Sequence, residues 1–86
     1  MDIASIREEI DITDRKIAEL ISHRYELTDA IGELKKHQSR VVKDPNRELL
    51  VIENAKNAAD AGYSDEIEQI FRLIINLSCN RQENNI

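Results

Sequence analysis

Apolar residues recur every three or four positions over residues 3–34, which is the spacing of one face of a long helix. No proline interrupts this stretch, and it contains one glycine, Gly32. The pattern predicts a first helix over about residues 3–36, roughly 50 Å long. We call its ten repeating positions the seam: Ile3, Ile6, Ile10, Thr13, Ile17, Leu20, Arg24, Leu27, Ile31 and Leu34.

The predicted helix is too long for the core of a compact domain of 86 residues, whose expected radius of gyration is about 12 Å. The seam must therefore pack against another molecule, most simply a second copy of the chain. Arg24 interrupts the seam, and a buried guanidinium needs an anionic partner because it cannot lose its charge. That partner is either a glutamate of the second copy, which would set the register, or a bound ligand.

Two shorter helices follow a polar connection at residues 37–43. Asp44-Pro45 is typical of a helix start, and it predicts a second helix over about residues 45–61 that ends at Gly62. Ser64 is the predicted N-cap of a third helix over about residues 65–82. The predicted core-facing positions of these two helices are Leu49, Ile52, Ala55 and Ala59, and then Ile67, Ile70, Phe71, Ile74 and Leu77.

The composition supports a helical protein, because aromatic residues are 3% of the chain and it has two glycines and one proline. Three helices of such unequal length do not close a bundle alone. We therefore predict one domain over residues 1–86, of the all-α class, with three helices per chain in an intertwined homodimer.

Charge and composition also narrow the possible partners. The net charge is −5 and no basic stripe is present, so we expect no nucleic acid partner. No apolar run is long enough for a membrane span, and the start of the chain does not resemble a signal peptide. Cys79 is the only cysteine, which argues against a disulfide or a thiolate zinc site. We expect a cytoplasmic protein without a metal or cofactor.

Several polar residues lie at spacings that bring them together in pairs. Arg24 and Lys35 are eleven residues apart, which is about three turns, so they share a face of the first helix. The other candidates are Asp44, Arg47 and Glu48 at the start of the second helix, and Ser78 and Gln82 one turn apart on the third.

These residues also have purely structural interpretations. Lys35 would complement the carboxyl end of its helix, Arg47 and Glu48 would form a solvated pair, and Ser78 and Gln82 would be an exposed edge. Gly32 is either a tolerated surface glycine or a point of close approach. Arg24 is the exception, because burying it in an apolar seam is costly.

Taken in order, these segments resemble the all-helical class of chorismate mutase, in its stand-alone bacterial type. The resemblance extends from Ile6-Arg7 to Gln82 and includes a Gly-x-x-Lys motif that ends at Lys35 and an Asp-x-x-Arg-Glu motif that starts at Asp44. The matching segments are IREEIDITDRKIAELISHRYELTDAIGELK, KDPNRELLVIENA and IFRLIINLSCNRQ.

The resemblance implies an isomerase that converts chorismate to prephenate, toward phenylalanine and tyrosine, in a homodimer with two equivalent sites and no cofactor. It implies that Arg24 binds one carboxylate of chorismate and that Arg7, from the other subunit, binds the second. Arg47 and Ser78 would line the pocket and assist at a carboxylate, and Ile31 would form an apolar wall. The spacing agrees, because Arg7 and Arg24 lie about 25 Å apart on one helix and cannot grip one small molecule without an antiparallel second copy.

The resemblance also implies three catalytic residues, Lys35, Gln82 and Glu48. Lys35 and Gln82 would donate hydrogen bonds to the ether oxygen of the substrate. Glu48, together with Asp44, would hold the ring hydroxyl. A concerted rearrangement needs no nucleophile or metal; it needs a dianion held in a reactive conformer and donors aimed at the developing charge.

Two alternatives remain open on the sequence alone. A lyase that removes pyruvate from isochorismate would use the same scaffold. A non-catalytic helical dimerisation module would account for the seam, but not for Arg24 or for the set Asp44, Arg47 and Glu48.

Overall fold

The chain folds into three α-helices and one short 3-10 helix in a computed structural model that describes residues 2–38 and 42–84. The α-helices are α1 (Ile3–His37), α2 (Pro45–Ala58) and α3 (Ser64–Asn84), and the 3-10 helix covers Ala61–Tyr63. No strand occurs in the described ranges, which confirms the prediction of an all-α chain with three helices.

Side-chain caps fix the starts of the first two helices. The carboxylate of Asp2 accepts hydrogen bonds from the amide and the hydroxyl of Ser5, at 2.8 and 2.7 Å. Asp44 caps α2 in the same way, by accepting from the amide of Arg47 at 3.1 Å, and Pro45 is the first helical residue. These caps satisfy amides that the helices leave without an internal partner.

The connection between α2 and α3 differs from the prediction. Helix α2 ends at Ala58, and Gly62 lies inside the 3-10 helix, so the prediction that Gly62 terminates α2 is wrong. The prediction that Ser64 is an N-cap is also wrong, because Ser64 has helical dihedral angles, φ −53° and ψ −44°. The 3-10 helix leads directly into α3, so the backbone is already helical where a cap would need an extended residue.

Helix α3 lies between the other two helices and packs against α2 on one side and α1 on the other. Its buried residues are Ile74, Ile75, Ser78 and Gln82. The predicted core-facing stripe is therefore only partly right, since Ile70 and Leu77 are exposed. Because α3 contacts two helices rather than one, its buried face also includes the polar residues Ser78 and Gln82.

The amino-terminal half of α1 extends away from the other helices. The chain measures 54 × 24 × 15 Å, with a radius of gyration of 15.8 Å, against about 12 Å for a compact domain of this length. Nine of the ten seam residues are exposed, from Ile3 at 67% to Leu34 at 59%, and Arg24 is half-buried. In the described part of the chain no large side chain is fully buried, so one copy does not form a closed core.

A forked ion pair joins the carboxyl-terminal halves of α1 and α3. Arg81 donates to both carboxylate oxygens of Asp29, at 3.1 and 2.6 Å. Its guanidinium also lies 5.3 Å from the ring centroid of Tyr25. The hydrogen bonds from Arg81 hold the pKa of Asp29 below its ordinary value.

We expect Asp29→Asn to lower the melting temperature at pH 7. Because the pKa of Asp29 is lower in the folded chain, the pair stabilises fully above the unfolded pKa, and the contribution is lost as the pH falls through the folded pKa. The melting temperatures of the variant and the parent should therefore converge at acid pH, below the folded pKa of Asp29. Asp14→Asn, at an exposed position of α1, is the control. If the melting temperatures of Asp29→Asn and the parent differ by the same amount from neutral to acid pH, the ion pair is not the cause of that difference.

Candidate active site

An open cavity of about 160 Å³ lies where the carboxyl-terminal half of α1, the start of α2 and α3 meet. Of the eight residues that the sequence predicts for the site, seven line this cavity. They are Arg24, Lys35, Asp44, Arg47, Glu48, Ser78 and Gln82. The apolar wall residue Ile31 lines it as well.

Arg24 is held at the cavity by α3. Its Nη1 donates to the hydroxyl oxygen of Ser78 at 3.0 Å, and that hydroxyl donates to the carbonyl of Ile74 at 2.8 Å. Ser78 is 5% exposed, so its alternative interpretation as an exposed edge is wrong. Within the described ranges no carboxylate lies at ion-pairing distance from Arg24. Its positive charge is therefore available to an anion in the cavity.

Lys35 connects the end of α1 to the segment before α2. Its ammonium donates to the carbonyl of Val42 at 3.0 Å. An ammonium has three donors, so two remain for water or a ligand. Lys35 also lies in the last turn of α1, where a cation is favourable, and the two interpretations of this residue are compatible.

Gln82 reaches the cavity by lying against Gly32. The side-chain nitrogen of Gln82 donates to the backbone carbonyl of Thr28. A Cβ atom on Gly32 would lie 2.8 Å from Cγ of Gln82, closer than real Cβ contacts. Of the two interpretations of Gly32, close approach of another helix is confirmed. Gln82 is 7% exposed, so its interpretation as an exposed edge is wrong.

The first turn of α2 adds charges of both signs. Asp44 and Arg47 are exposed at the rim, and Glu48 is half-buried. The cap between the Asp44 carboxylate and the Arg47 amide fixes the turn that carries all three side chains. With Arg24 and Lys35, the described residues of the cavity lining include three cations and two carboxylates, an excess of one positive charge.

Sequence reasoning missed five lining residues, Thr28, Val42, Val51, Ile75 and Cys79, as members of the site. Helical spacing was an available signal for Thr28 and Val51, because each lies one turn after a predicted site arginine. Val42 lies in a predicted loop, where periodicity gives no signal. Burial, and secondarily the Glu48 carboxylate, raise the pKa of the Cys79 thiol, which makes it a poor nucleophile.

Arg7 is the one predicted site residue that lies elsewhere. It is exposed near the start of α1, about 25 Å along the helix from Arg24. Its contribution from a second subunit stays a prediction.

Two other kinds of functional feature are absent from the part of the chain that the structure describes. The described residues contain no group of three or more His, Cys, Asp or Glu side chains that could hold a metal ion. None of the described helices is long and apolar enough to cross a membrane.

Comparison with known proteins places the chain in a family. The profile of the chorismate mutase type II family matches residues 6–83. The chain therefore belongs to the chorismate mutase type II family, which confirms the resemblance seen in the sequence. It is also similar to T-protein of Haemophilus influenzae, with 32% identity over 72 residues. That match covers 81% of this chain and 19% of T-protein.

Proposed function

We propose that the protein catalyses the rearrangement of chorismate to prephenate, on the route to phenylalanine and tyrosine. One observation carries the proposal. One open cavity gathers the seven predicted polar residues from the three helices and the cap of α2, with an excess of positive charge among the described lining residues, in a chain of the chorismate mutase type II family. Chorismate is a small dianion, so its charge complements this lining.

The proposed reaction is intramolecular, and no atom enters or leaves. The ether C–O bond breaks while a new C–C bond forms in the same molecule. The protein must therefore hold the substrate in a compact conformer and stabilise the negative charge that develops on the ether oxygen.

In this proposal Arg24 and Arg7 of a second copy each bind one substrate carboxylate. Ser78 supports this role, because its hydroxyl accepts one hydrogen bond from the Arg24 guanidinium and four donors remain. A guanidinium held in this way can present two parallel N–H groups to a carboxylate. Arg47, at the rim, would assist at a carboxylate.

Lys35 and Gln82 are the proposed donors to the ether oxygen. Each is held by one backbone carbonyl, that of Val42 for Lys35 and that of Thr28 for Gln82. Both side chains therefore hold a donor in place while negative charge grows on the ether oxygen. Their hydrogen bonds to that oxygen would strengthen toward the transition state, and only interactions that strengthen in this way raise the rate. The Glu48 carboxylate, with Asp44, would accept a hydrogen bond from the ring hydroxyl.

Exposed surface area supports the proposed homodimer. The single chain exposes 6884 Å², about 1,700 Å² more than a compact protein of this mass. If two copies bury that excess, the interface is about 3,400 Å² in total, within the range of obligate dimers.

The order of the seam supports an antiparallel arrangement in one register. A two-fold axis at position 15 pairs position 3 with 27, 6 with 24, 10 with 20 and 13 with 17, so that seam positions meet along the overlap and only Thr13 and Arg24 among them are polar. This register sets Ile6 of the second copy opposite Arg24. Arg7 of that copy then lies beside Arg24, at the edge of the cavity.

The activity is tested by incubating the purified protein with chorismate and following the loss of its diene absorbance. Prephenate as the product supports the proposal, and it separates the protein from a non-catalytic dimerisation module. Incubation with isochorismate and a pyruvate assay test the lyase alternative. Analytical ultracentrifugation tests the assembly: a compact monomer that converts chorismate would contradict the shared site.

A further inference from the structure

We infer that Gly32 is a positioning residue for Gln82: without a side chain at position 32, the Gln82 amide reaches the Thr28 carbonyl, and this contact fixes Gln82 as a hydrogen-bond donor in the cavity. The inference rests on the proposed function. It assigns a role to a residue that lies outside the lining of the cavity.

The contact is close because α1 carries no side chain at position 32, so the Gln82 side chain of α3 lies directly against the α1 backbone. Gly32 is buried on α1, and a Cβ atom at this position would lie 2.8 Å from Cγ and 3.2 Å from Cβ of Gln82. Thr28 lies four residues before Gly32, so its carbonyl is one helical turn away on the same face. A side chain at position 32 would therefore displace Gln82 from that carbonyl.

The chemistry of the Thr28 carbonyl decides how the Gln82 amide is oriented. A primary amide has an acceptor oxygen and a donor nitrogen with two hydrogens, and its two orientations are nearly equal in shape. A backbone carbonyl only accepts, so it selects the nitrogen. One hydrogen of Nε2 bonds to Thr28, and the second remains available to an acceptor in the cavity.

A kinetic experiment compares Gly32→Ala with Gln82→Ala and the double variant. Loss of the Gln82 donor should lower kcat about 100-fold, and a displacement of several tenths of an ångström should lower it about tenfold or more, with KM little changed. In the Gln82→Ala background, Gly32→Ala should have no further effect on kcat. If the two effects multiply, or if Gly32→Ala alone leaves kcat unchanged, Gly32 does not act through Gln82.

The second glycine supplies a matched control. Gly62 is exposed, and a Cβ atom added to it would meet none of the described residues within 4 Å. Gly62→Ala adds the same methyl group away from the cavity and should leave kcat and KM at the parental values. Circular dichroism should show that all these variants are folded.

Nuclear magnetic resonance tests the positioning without any substrate. In the parent and in Gly62→Ala, the two side-chain NH resonances of Gln82 should differ in shift and exchange slowly with water. In Gly32→Ala they should move to the values of a free amide. An unchanged Gln82 signal in Gly32→Ala would overturn the inference. If the parent protein does not convert chorismate but the Gln82 resonances move in Gly32→Ala as expected, the proposed function is overturned and the positioning role stays in place.

Discussion

Arg24→Leu is expected to abolish chorismate rearrangement while the melting temperature stays the same or rises. Arg24 lies at a seam position where an apolar side chain would pack better, and it has no carboxylate partner among the residues that the structure describes. In the proposed complex the Arg24 guanidinium pairs with a carboxylate of chorismate. Removing one partner of such a buried, hydrogen-bonded charge pair costs about 3 kcal/mol or more, which lowers kcat/KM about 100-fold or more. Removal of a charge kept for function from an apolar face does not destabilise the fold.

Steady-state kinetics and thermal melting of the same preparation measure the two effects. Arg15→Leu, at an exposed position of α1 away from the seam, is the matched control and should retain activity. A fall in the melting temperature of Arg24→Leu together with loss of structure would instead assign Arg24 to a structural pair across the interface. Retained activity would exclude it from substrate binding.

Two inactive variants, Arg7→Ala and Arg24→Ala, should recover activity when they are unfolded together and refolded. In the proposed dimer each site takes Arg24 from one copy and Arg7 from the other. A mixed dimer then has one site with both substitutions and one intact site. Random pairing at equal amounts should restore about a quarter of the parental sites.

The control for this experiment is each variant refolded alone, which should remain inactive. Native mass spectrometry or differently tagged chains would establish that mixed dimers form. Mixed dimers without activity would show that Arg7 and Arg24 do not meet in one site across the interface. Activity of Arg7→Ala alone would show that Arg7 is not needed.

Much of the fold could be predicted because local signals are strong here. The seam has a strict three-four spacing with no proline, and Asp44-Pro45 gives a helix start that the structure reproduces. The structure also brings seven of the predicted site residues to one cavity. Their helical spacing showed shared faces, but the resemblance to a family was needed to assign them a common site.

The remaining features depend on tertiary packing. The burial of Ser78 and Gln82 and the exposure of Ile70 and Leu77 follow from α3 being covered by two helices, which periodicity within α3 does not reveal. The buried face of α3 therefore combines the apolar residues Ile74 and Ile75 with two polar ones. The early end of α2 likewise follows from the 3-10 helix before α3, where Gly62 is compatible with more than one backbone path.

Because α1 is one unbroken helix, it fixes the distance and the angle between the side chains that it carries. Arg7 and Arg24 are rigidly spaced on one rod of 35 residues, and in the proposed assembly each rod serves two reaction centres. Insertion of a single amino acid between them would turn one arginine by about 100° relative to the other and would damage both centres at once. The proposed assembly therefore constrains the number of residues between Arg7 and Arg24 more tightly than the identity of the exposed residues between them.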